Sequence, residues 1–92
     1  MLRITKIALN GSPVTLKLEG KIHNEWVSLL AQECKTAARD AKEVLLDFSE
    51  VTYVDETGIE LIRRLLKKHV KIINGDSFIA DLNDRGGEAW NR

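Results

Sequence analysis

Residues 51–66 join a short apolar stretch, interpreted as a loop over residues 51–54, to a helical pattern, and Asp55 stands at the junction. Beyond Asp55, Ile59, Ile62 and Leu65 recur at the spacing that places side chains on one face of an α-helix. Aspartate is a favoured N-cap residue, because its carboxylate accepts a hydrogen bond from a backbone N–H that has no partner within the helix. The pattern therefore predicts a helix that begins directly after Asp55.

The predicted first turn of this helix contains Glu56, Thr57 and Gly58. A helix N-terminus carries partial positive charge and free N–H groups, so a phosphate added there is well tolerated. Thr57 places a hydroxyl at this position and is a candidate phosphorylation site. The alternative is a structural threonine that hydrogen-bonds locally. Gly58 is expected to permit close packing of the helix start.

The first part of the chain predicts a β-hairpin. Strands at residues 3–9 and 14–19 flank an Asn-Gly-Ser-Pro segment at residues 10–13, and Asn-Gly is a strong turn signal because both residues accept positive φ. The second strand alternates apolar and polar residues, which predicts a sheet with one face in solvent. Gly20 is expected to end this strand.

Helices and strands alternate in the remainder of the chain. Asn24 is predicted to cap a first helix with an apolar stripe, formed by Val27, Leu30, Ala31, Cys34, Ala38 and Ala41. Residues 44–48 predict a central strand, and residues 70–73 a fourth strand. Asp76 or Ser77 is expected to cap a short last helix.

The element order is therefore ββαβαβα. Strand–helix–strand connections of this length give parallel strands with right-handed crossovers, and two crossovers in the same direction place both helices on one face. We predict an α/β fold with a four-stranded mixed sheet, an N-terminal antiparallel hairpin and helices on one face. Residues 1–83 are expected to form a single domain and residues 84–92 a C-terminal tail, with Trp90 packing on the domain or on a neighbour.

Composition excludes several function classes. The 92 residues carry 14 basic and 14 acidic side chains, which does not favour nucleic-acid binding. No apolar run is long enough to insert in a membrane and no signal-peptide core is present, so the expected location is the cytoplasm. No nucleophile–base pair, glycine-rich phosphate loop or Cys/His cluster is evident, so we expect no enzymatic activity, metal or cofactor. Cys34 is interpreted as a core residue.

Residues 44–62 resemble a motif of the STAS family. They combine the strand Val-Leu-Leu-Asp-Phe with Ser-Glu-Val-Thr-Tyr-Val-Asp-Glu-Thr-Gly-Ile-Glu-Leu-Ile. The founding members are bacterial anti-sigma-factor antagonists, in which an apolar residue precedes Asp-Ser-Ser-Gly and an apolar helix. The resemblance covers about residues 4–82, including the hairpin, Gly20 and the segment Asn-Gly-Asp-Ser-Phe-Ile-Ala-Asp-Leu at residues 74–82.

The resemblance implies a phosphorylation switch. In that family a partner serine kinase, itself the anti-sigma factor, phosphorylates the hydroxyl just before the glycine and so breaks its complex with the antagonist. Thr57 matches the phosphorylated position, Asp55 the motif aspartate and Gly58 the glycine. Glu56 replaces the first serine, and its carboxylate would repel an incoming phosphoryl group. We hypothesise that Glu56 holds the chain in one signalling state.

The sequence thus predicts a non-enzymatic signalling module that binds a serine kinase or related regulator. The expected partner-binding residues are Gly20, Lys21, Ile22, His23, Trp26, Asp55, Glu56, Thr57 and Gly58. One alternative is a STAS subunit of an ABC-type transport assembly, with the same turn contacting the ATPase constitutively. Another is a small-ligand sensor with a crevice at the C-terminal ends of the strands.

Overall fold

The computed structural model describes residues 1–8 and 13–92, except the side chain of Arg85. Its elements are β1 (Leu2–Ile7), β2 (Val14–Ile22), α1 (Glu25–Asp40), β3 (Val44–Val54), α2 (Glu56–Leu66), β4 (Val70–Ile73), α3 (Asp76–Arg85) and β5 (Trp90–Asn91). Asn10, Gly11 and Ser12 of the predicted hairpin turn lie outside the described residues. No helix in the described part of the chain has the length and apolar character needed to cross a bilayer.

The strands form one mixed sheet in the order β1-β2-β3-β4. β1 is antiparallel to β2, whereas β2, β3 and β4 are mutually parallel. The two crossovers step in the same direction, so α1 and α2 lie on one face, where they contact each other. This confirms the predicted mixed α/β fold. A fifth strand, β5, pairs antiparallel with the end of β3 and was not predicted.

The core lies between the sheet and the helices. Its buried strand and α2 residues include Val14, Leu16, Leu18, Ile22, Val44, Leu46, Phe48, Val51, Val54, Ile59, Ile62 and Leu65. On α1, Leu30 and Cys34 are buried as predicted, but Ala37 takes the core position expected for Ala38, which is exposed. The core face of α1 is centred closer to Ala37, and Ala38 lies at its border.

β3 is much longer than its predicted bounds of 44–48. Residues 51–54, interpreted as an apolar loop, continue the strand to Val54. Relative to β2, β3 contains an extra residue at each of two register shifts, opposite Lys17–Glu19 and opposite Gly20–Lys21. The first shift allows Phe48 and Val51, three positions apart, to face the same core. This spacing breaks the period of two by which strands are recognised.

Gly20 does not end β2, which continues to Ile22. Gly20 has φ of +107°, and a Cβ atom there would lie 2.5 Å from the carbonyl oxygen of Met1. Both conditions require glycine. Gly20 therefore allows the strand to bend at a register shift beside β1, and the strand then delivers its last residues towards the start of α2.

α3 begins at Asp76, so neither Asp76 nor Ser77 is the N-cap; Gly75 holds that position. Gly75 is buried, and a Cβ atom there would lie 2.7 Å from Cγ2 of Ile72 and 3.0 Å from Cβ of Phe48. The chain turns directly against the core at Gly75. Close packing, and not a side-chain cap, therefore sets the start of this helix.

Residues 84–92, expected to form a tail, contain the end of α3 and the strand β5. Trp90 is 4% exposed, and its ring meets Phe78 edge to face with centroids 5.3 Å apart. The backbone N–H of Arg92 donates to the Thr52 carbonyl at 3.0 Å. Aromatic burial and backbone pairing together hold the end of the chain on the sheet.

Candidate functional site

Asp55 caps α2 at the predicted position. Its backbone is extended, with φ of −79° and ψ of 177°, and its Oδ1 accepts a hydrogen bond from the Gly58 N–H at 2.7 Å. β3 ends one residue earlier, at Val54. The strand thus delivers the capping carboxylate directly to the helix N-terminus, which confirms the predicted start of α2.

The second carboxylate oxygen of Asp55 binds the connection between β2 and α1. Oδ2 accepts a hydrogen bond from the Asn24 N–H at 3.0 Å, and the Asp55 N–H donates to the Ile22 carbonyl at 3.0 Å. One side chain therefore fixes two segments that are 31 residues apart in the sequence. The helix cap of Asp55 was predicted from the sequence, but this second contact was not.

Asn24 occupies the N-cap position of α1, but its side chain does not cap that helix. Its backbone has φ of +51°, a conformation that asparagine accepts more readily than most residues. Its side-chain Nδ2 lies 3.0 Å from Nδ1 of His23. The unusual backbone directs the Asn24 N–H towards Asp55, which explains why an asparagine suits this position.

Thr57 is exposed on the first turn of α2. Its hydroxyl donates a hydrogen bond to Oδ1 of Asp55 at 2.8 Å. The local hydrogen bond of the structural interpretation is therefore present, and the residue is also accessible from solvent. Glu56, likewise exposed, lies beside it. The Asp55 carboxylate is therefore in direct contact with the hydroxyl, and Glu56 adds a second acidic residue to the same helix turn.

Two effects act on the pKa of Asp55 in opposite directions. Partial burial raises the pKa, whereas hydrogen bonds to the charged form lower it, and the hydrogen bonds prevail. The donors are the backbone N–H groups of Gly58 and Asn24 and the hydroxyl of Thr57, and the charge of His23 acts in the same direction. The pKa of the Asp55 carboxyl group is therefore lower than usual for aspartate, and the group stays ionised to a lower pH.

Gly58 is buried against the end of β3, as expected for close packing of the helix start. A Cβ atom at this position would lie 2.8 Å from Cγ1 of Val54 and 3.2 Å from the carbonyl oxygen of Ile22. Real Cβ atoms do not approach other atoms this closely without displacing them. The absence of a side chain lets α2 begin directly over β2 and β3.

The structure brings together most of the predicted partner-binding residues, although not all of them reach the surface. Ile22 is fully buried and Gly58 is buried, so both support the site from below. Gly20 is half-buried within the bent strand, and Trp26 is half-buried and packs against the core. Lys21 is exposed near the end of β2.

We define the Asp55 surface as His23, Asn24, Asp55, Glu56 and Thr57, which are exposed or half-buried. Asn24 lies between the predicted partner-binding residues His23 and Trp26, but its own sequence signal had indicated only a helix cap. Tyr53, which was not predicted to lie near the site, borders this surface, and its ring meets His23 edge to face with centroids 6.5 Å apart. Tyr53 belonged to the stretch interpreted as a loop, so no strand period indicated its direction.

Three further features of the described residues concern metal binding, the single cysteine and the crevice expected at the C-terminal ends of the strands. No three His, Cys, Asp or Glu side chains among them come together as a metal site. Burial, assisted by the charge of Glu33, raises the pKa of Cys34 to about 12, which confirms its interpretation as a core residue. A cavity beside the end of β4, lined in part by Asn74 and Trp90, has a volume of about 130 Å³. This is smaller than typical small-molecule sites, which measure roughly 300–1,000 Å³.

Replacing Asp55 with asparagine should lower the free energy of unfolding by about 1–2 kcal/mol at pH 7, because an amide nitrogen cannot accept the hydrogen bond from Asn24. The folded-state pKa of Asp55 is lowered, so its contribution is complete above the unfolded-state value of about 3.9 and is lost as the pH falls through the folded-state value. The variant should therefore lose less stability than the wild type on acidification.

Urea denaturation between neutral and acidic pH measures this effect. Asp76→Asn is a matched control, since Asp76 lies in the first turn of α3 but provides no cap hydrogen bond. Asp47, whose pKa is also lowered, is retained in both variants, so its contribution cancels. Equal stability losses for the two variants would show that Asp55 acts only through its charge near a helix start.

The chain combines a mixed sheet, helices on one face and a parallel strand that leads through a capping aspartate into a helix. These features define a distinct class of small α/β domains. The chain belongs to the STAS domain family. The family model described as "Mlab, STAS domain" matches residues 5–71, which is more than half of the chain.

Two solved structures show the same fold. The anti-sigma factor antagonist SpoIIAA in its unphosphorylated form has a TM-score of 0.67 and 13% identity, over 94% of this chain and 86% of SpoIIAA. An uncharacterised DUF3478-family protein from Shewanella loihica PV-4, described as SpoIIAA-like in fold, has a TM-score of 0.60 and 17% identity, over 95% of this chain and 81% of that protein. A comparison with curated protein sequences found no match.

Proposed function

We propose that this domain is a non-enzymatic signalling module that docks on a partner protein through the Asp55 surface and is regulated by phosphorylation of Thr57. The observation that carries the proposal is the exposed Thr57 hydroxyl on the first turn of α2, bonded to the carboxylate that also holds the β2–α1 connection. The partner class is a serine kinase of the anti-sigma-factor type, as the resemblance to anti-sigma-factor antagonists implies. The shared fold with SpoIIAA, an anti-sigma factor antagonist, supports this choice.

Phosphorylation would change this surface in two ways. Esterification removes the hydrogen that Thr57 donates to Asp55, and the phosphate adds about −1.5 to −2 charges beside an ionised carboxylate. The N-terminus of α2 favours the added charge on the isolated domain. A partner that covers the turn must instead remove water from it, which the phosphate opposes. Docking is therefore strong without phosphate and weak with it.

A specific observation favours a second candidate function, a subunit of an ABC-type transport assembly. The Asp55 carboxylate accepts a hydrogen bond from Thr57, and Glu56 directly precedes Thr57 in the chain, so two negative charges on this turn would disfavour an incoming phosphoryl group. In such an assembly the Asp55 surface would contact an ATPase constitutively, with no phosphate. Co-purification separates the two functions, since a kinase-fold partner supports signalling and an ABC ATPase supports transport.

Thr57→Ala should keep the fold and remain bound to the partner, whereas Thr57→Asp should bind at least roughly tenfold more weakly, because it places a charge in the docked surface. Thr36→Asp is the matched control, since Thr36 is exposed on α1 outside the Asp55 surface. Partner affinity is measured after co-purification. Mass spectrometry after incubation with native lysate and ATP should locate a phosphate on Thr57 of the wild type.

Equal partner affinity for Thr57→Ala and Thr57→Asp would show that charge at Thr57 does not regulate docking. A wild-type chain that stays free of phosphate and co-purifies with an ABC ATPase would replace the signalling function with the transport function.

A further inference from the structure

A groove of about 760 Å³ lies between the C-terminal halves of α1 and α2. Ala31, Ala38 and Ala41 line its α1 side, while Leu61 and Leu65 line its α2 side. The short alanine side chains cannot fill the space up to the opposite helix, which leaves the groove open. The result is an apolar trough at the end of the domain where β3 and β4 begin.

The rim of the groove carries positive charge. Lys35 and Lys42 lie on one side and Arg64, Lys67 and Lys68 on the other; all five are exposed, and no aspartate or glutamate lines the groove. The ion pairs found among the described residues, Lys6–Asp40 and Lys71–Glu43, involve none of the five. Since the whole chain has a formal net charge of zero, this cluster is a local feature.

The combination of shape and charge selects one kind of ligand. An anionic lipid or fatty acid with a single head group would pair with one or two of the five cations and leave the rest unmatched. A flat membrane surface could meet the rim, but it could not reach buried floor residues such as Val44. An amphipathic helix satisfies both features, because its apolar stripe enters the trough while acidic residues on either flank meet the two rims.

We infer that the α1–α2 groove is a docking site for an acidic amphipathic helix of a partner protein. The groove lies at the C-terminal end of α2, and the Asp55 surface lies at its N-terminal end, roughly 16 Å away for an 11-residue helix. The two surfaces are separate, so the groove can be occupied whether or not the Asp55 surface is docked. This inference does not depend on the phosphorylation of Thr57.

A designed peptide tests the inference without knowledge of the natural partner. The probe is a fluorescein-labelled helix of about 18 residues with leucine at positions i, i+3, i+4 and i+7 and glutamate on both flanks. A second peptide replaces every leucine with serine and keeps the charge. Fluorescence anisotropy with the full chain should show saturable binding of the leucine peptide and none of the serine peptide.

Two protein variants locate the binding. The double variant Lys35→Glu/Arg64→Glu reverses one charge on each rim and should weaken binding roughly tenfold or more. Arg3→Glu/Arg39→Glu changes the net charge equally at exposed positions outside the groove, and it should change the affinity by less than about twofold. Ala38→Trp fills the trough from an exposed position and should abolish binding with the fold intact, as judged by circular dichroism.

Several outcomes would overturn the inference. Equal binding of the leucine and serine peptides would show that the peptide binds by non-specific electrostatic attraction and that its apolar stripe does not enter the groove. Equal losses in the two double variants, or full affinity in a folded Ala38→Trp variant, would place the peptide elsewhere. If the domain sediments with phosphatidylglycerol vesicles and does not bind the leucine peptide, the five cations bind an anionic membrane surface and not a helix.

Discussion

Replacing Ile62 with aspartate should leave the domain unfolded at neutral pH. Ile62 is fully buried on the face of α2 that packs against the sheet. A carboxylate at this position would lose its hydration without a partner, at an expected cost above about 4 kcal/mol. That is comparable with the whole stability of many domains. Far-UV circular dichroism and the dispersion of amide NMR signals measure the loss of structure.

Ile62→Val is the matched control, because it removes one methylene group and introduces no charge. It should lower the free energy of unfolding by about 0.5–1.5 kcal/mol and keep the fold. A folded Ile62→Asp variant with a cooperative thermal transition would mean that α2 turns a different face towards the sheet. In that case the position of the Asp55 surface would also need revision.

The second large effect is expected at the C-terminal end of the chain. Trp90→Ala should lower the free energy of unfolding by about 3–5 kcal/mol. The substitution removes the ring that meets Phe78 edge to face and leaves Phe78, whose ring centroid lies 4.8 Å from that of Phe48, less covered. It should also detach β5 from the end of β3. Urea denaturation and hydrogen exchange of the Val54 amide measure these two effects.

Trp90→Phe separates the packing of the ring from the polarity of the indole. Nε1 of Trp90 is buried and has no hydrogen-bond partner among the described residues, so its removal deletes a donor that contributes no bond. The phenylalanine variant should therefore lose much less stability than the alanine variant. Equal losses would indicate that the indole N–H, and not the ring contact, holds β5 in place.

α2 connects the two surfaces to which we assign functions. Its first turn presents Thr57, and its last turns present Arg64 and Leu65 to the groove. Ile62 lies between them in the core. Variants at the two ends can therefore be combined to ask whether partners compete for the domain, and additive effects are expected for sites this far apart.

The parts of the fold that were predicted correctly depend on local patterns. The start of α2 follows from the capping chemistry of Asp55 and the spacing of Ile59 and Ile62, which are close in the sequence. The parallel order of β2, β3 and β4 follows from general handedness rules for strand–helix–strand units. The first depends only on residues close together in the sequence, and the second depends only on the order and lengths of the elements.

The errors occurred where distant segments meet. The register shifts that extend β3 depend on its pairing with β2, and the bend at Gly20 depends on the neighbouring carbonyl of Met1. β5 was missed because a two-residue strand has no detectable period; its position is set by Trp90 packing on Phe78. The predicted cap at Asp76 or Ser77 was wrong because Gly75 fits against Phe48.

The candidate site divides in the same way. Periodicity and residue chemistry were sufficient to place Thr57 on the first turn of a helix capped by Asp55, since these relations span only three residues. The hydrogen bond between Asn24 and Asp55, the burial of Ile22 beneath the site and the cationic groove arise only when β2, α1 and α2 pack on one sheet. Contacts of this kind depend on the three-dimensional path of the chain, which no local pattern encodes.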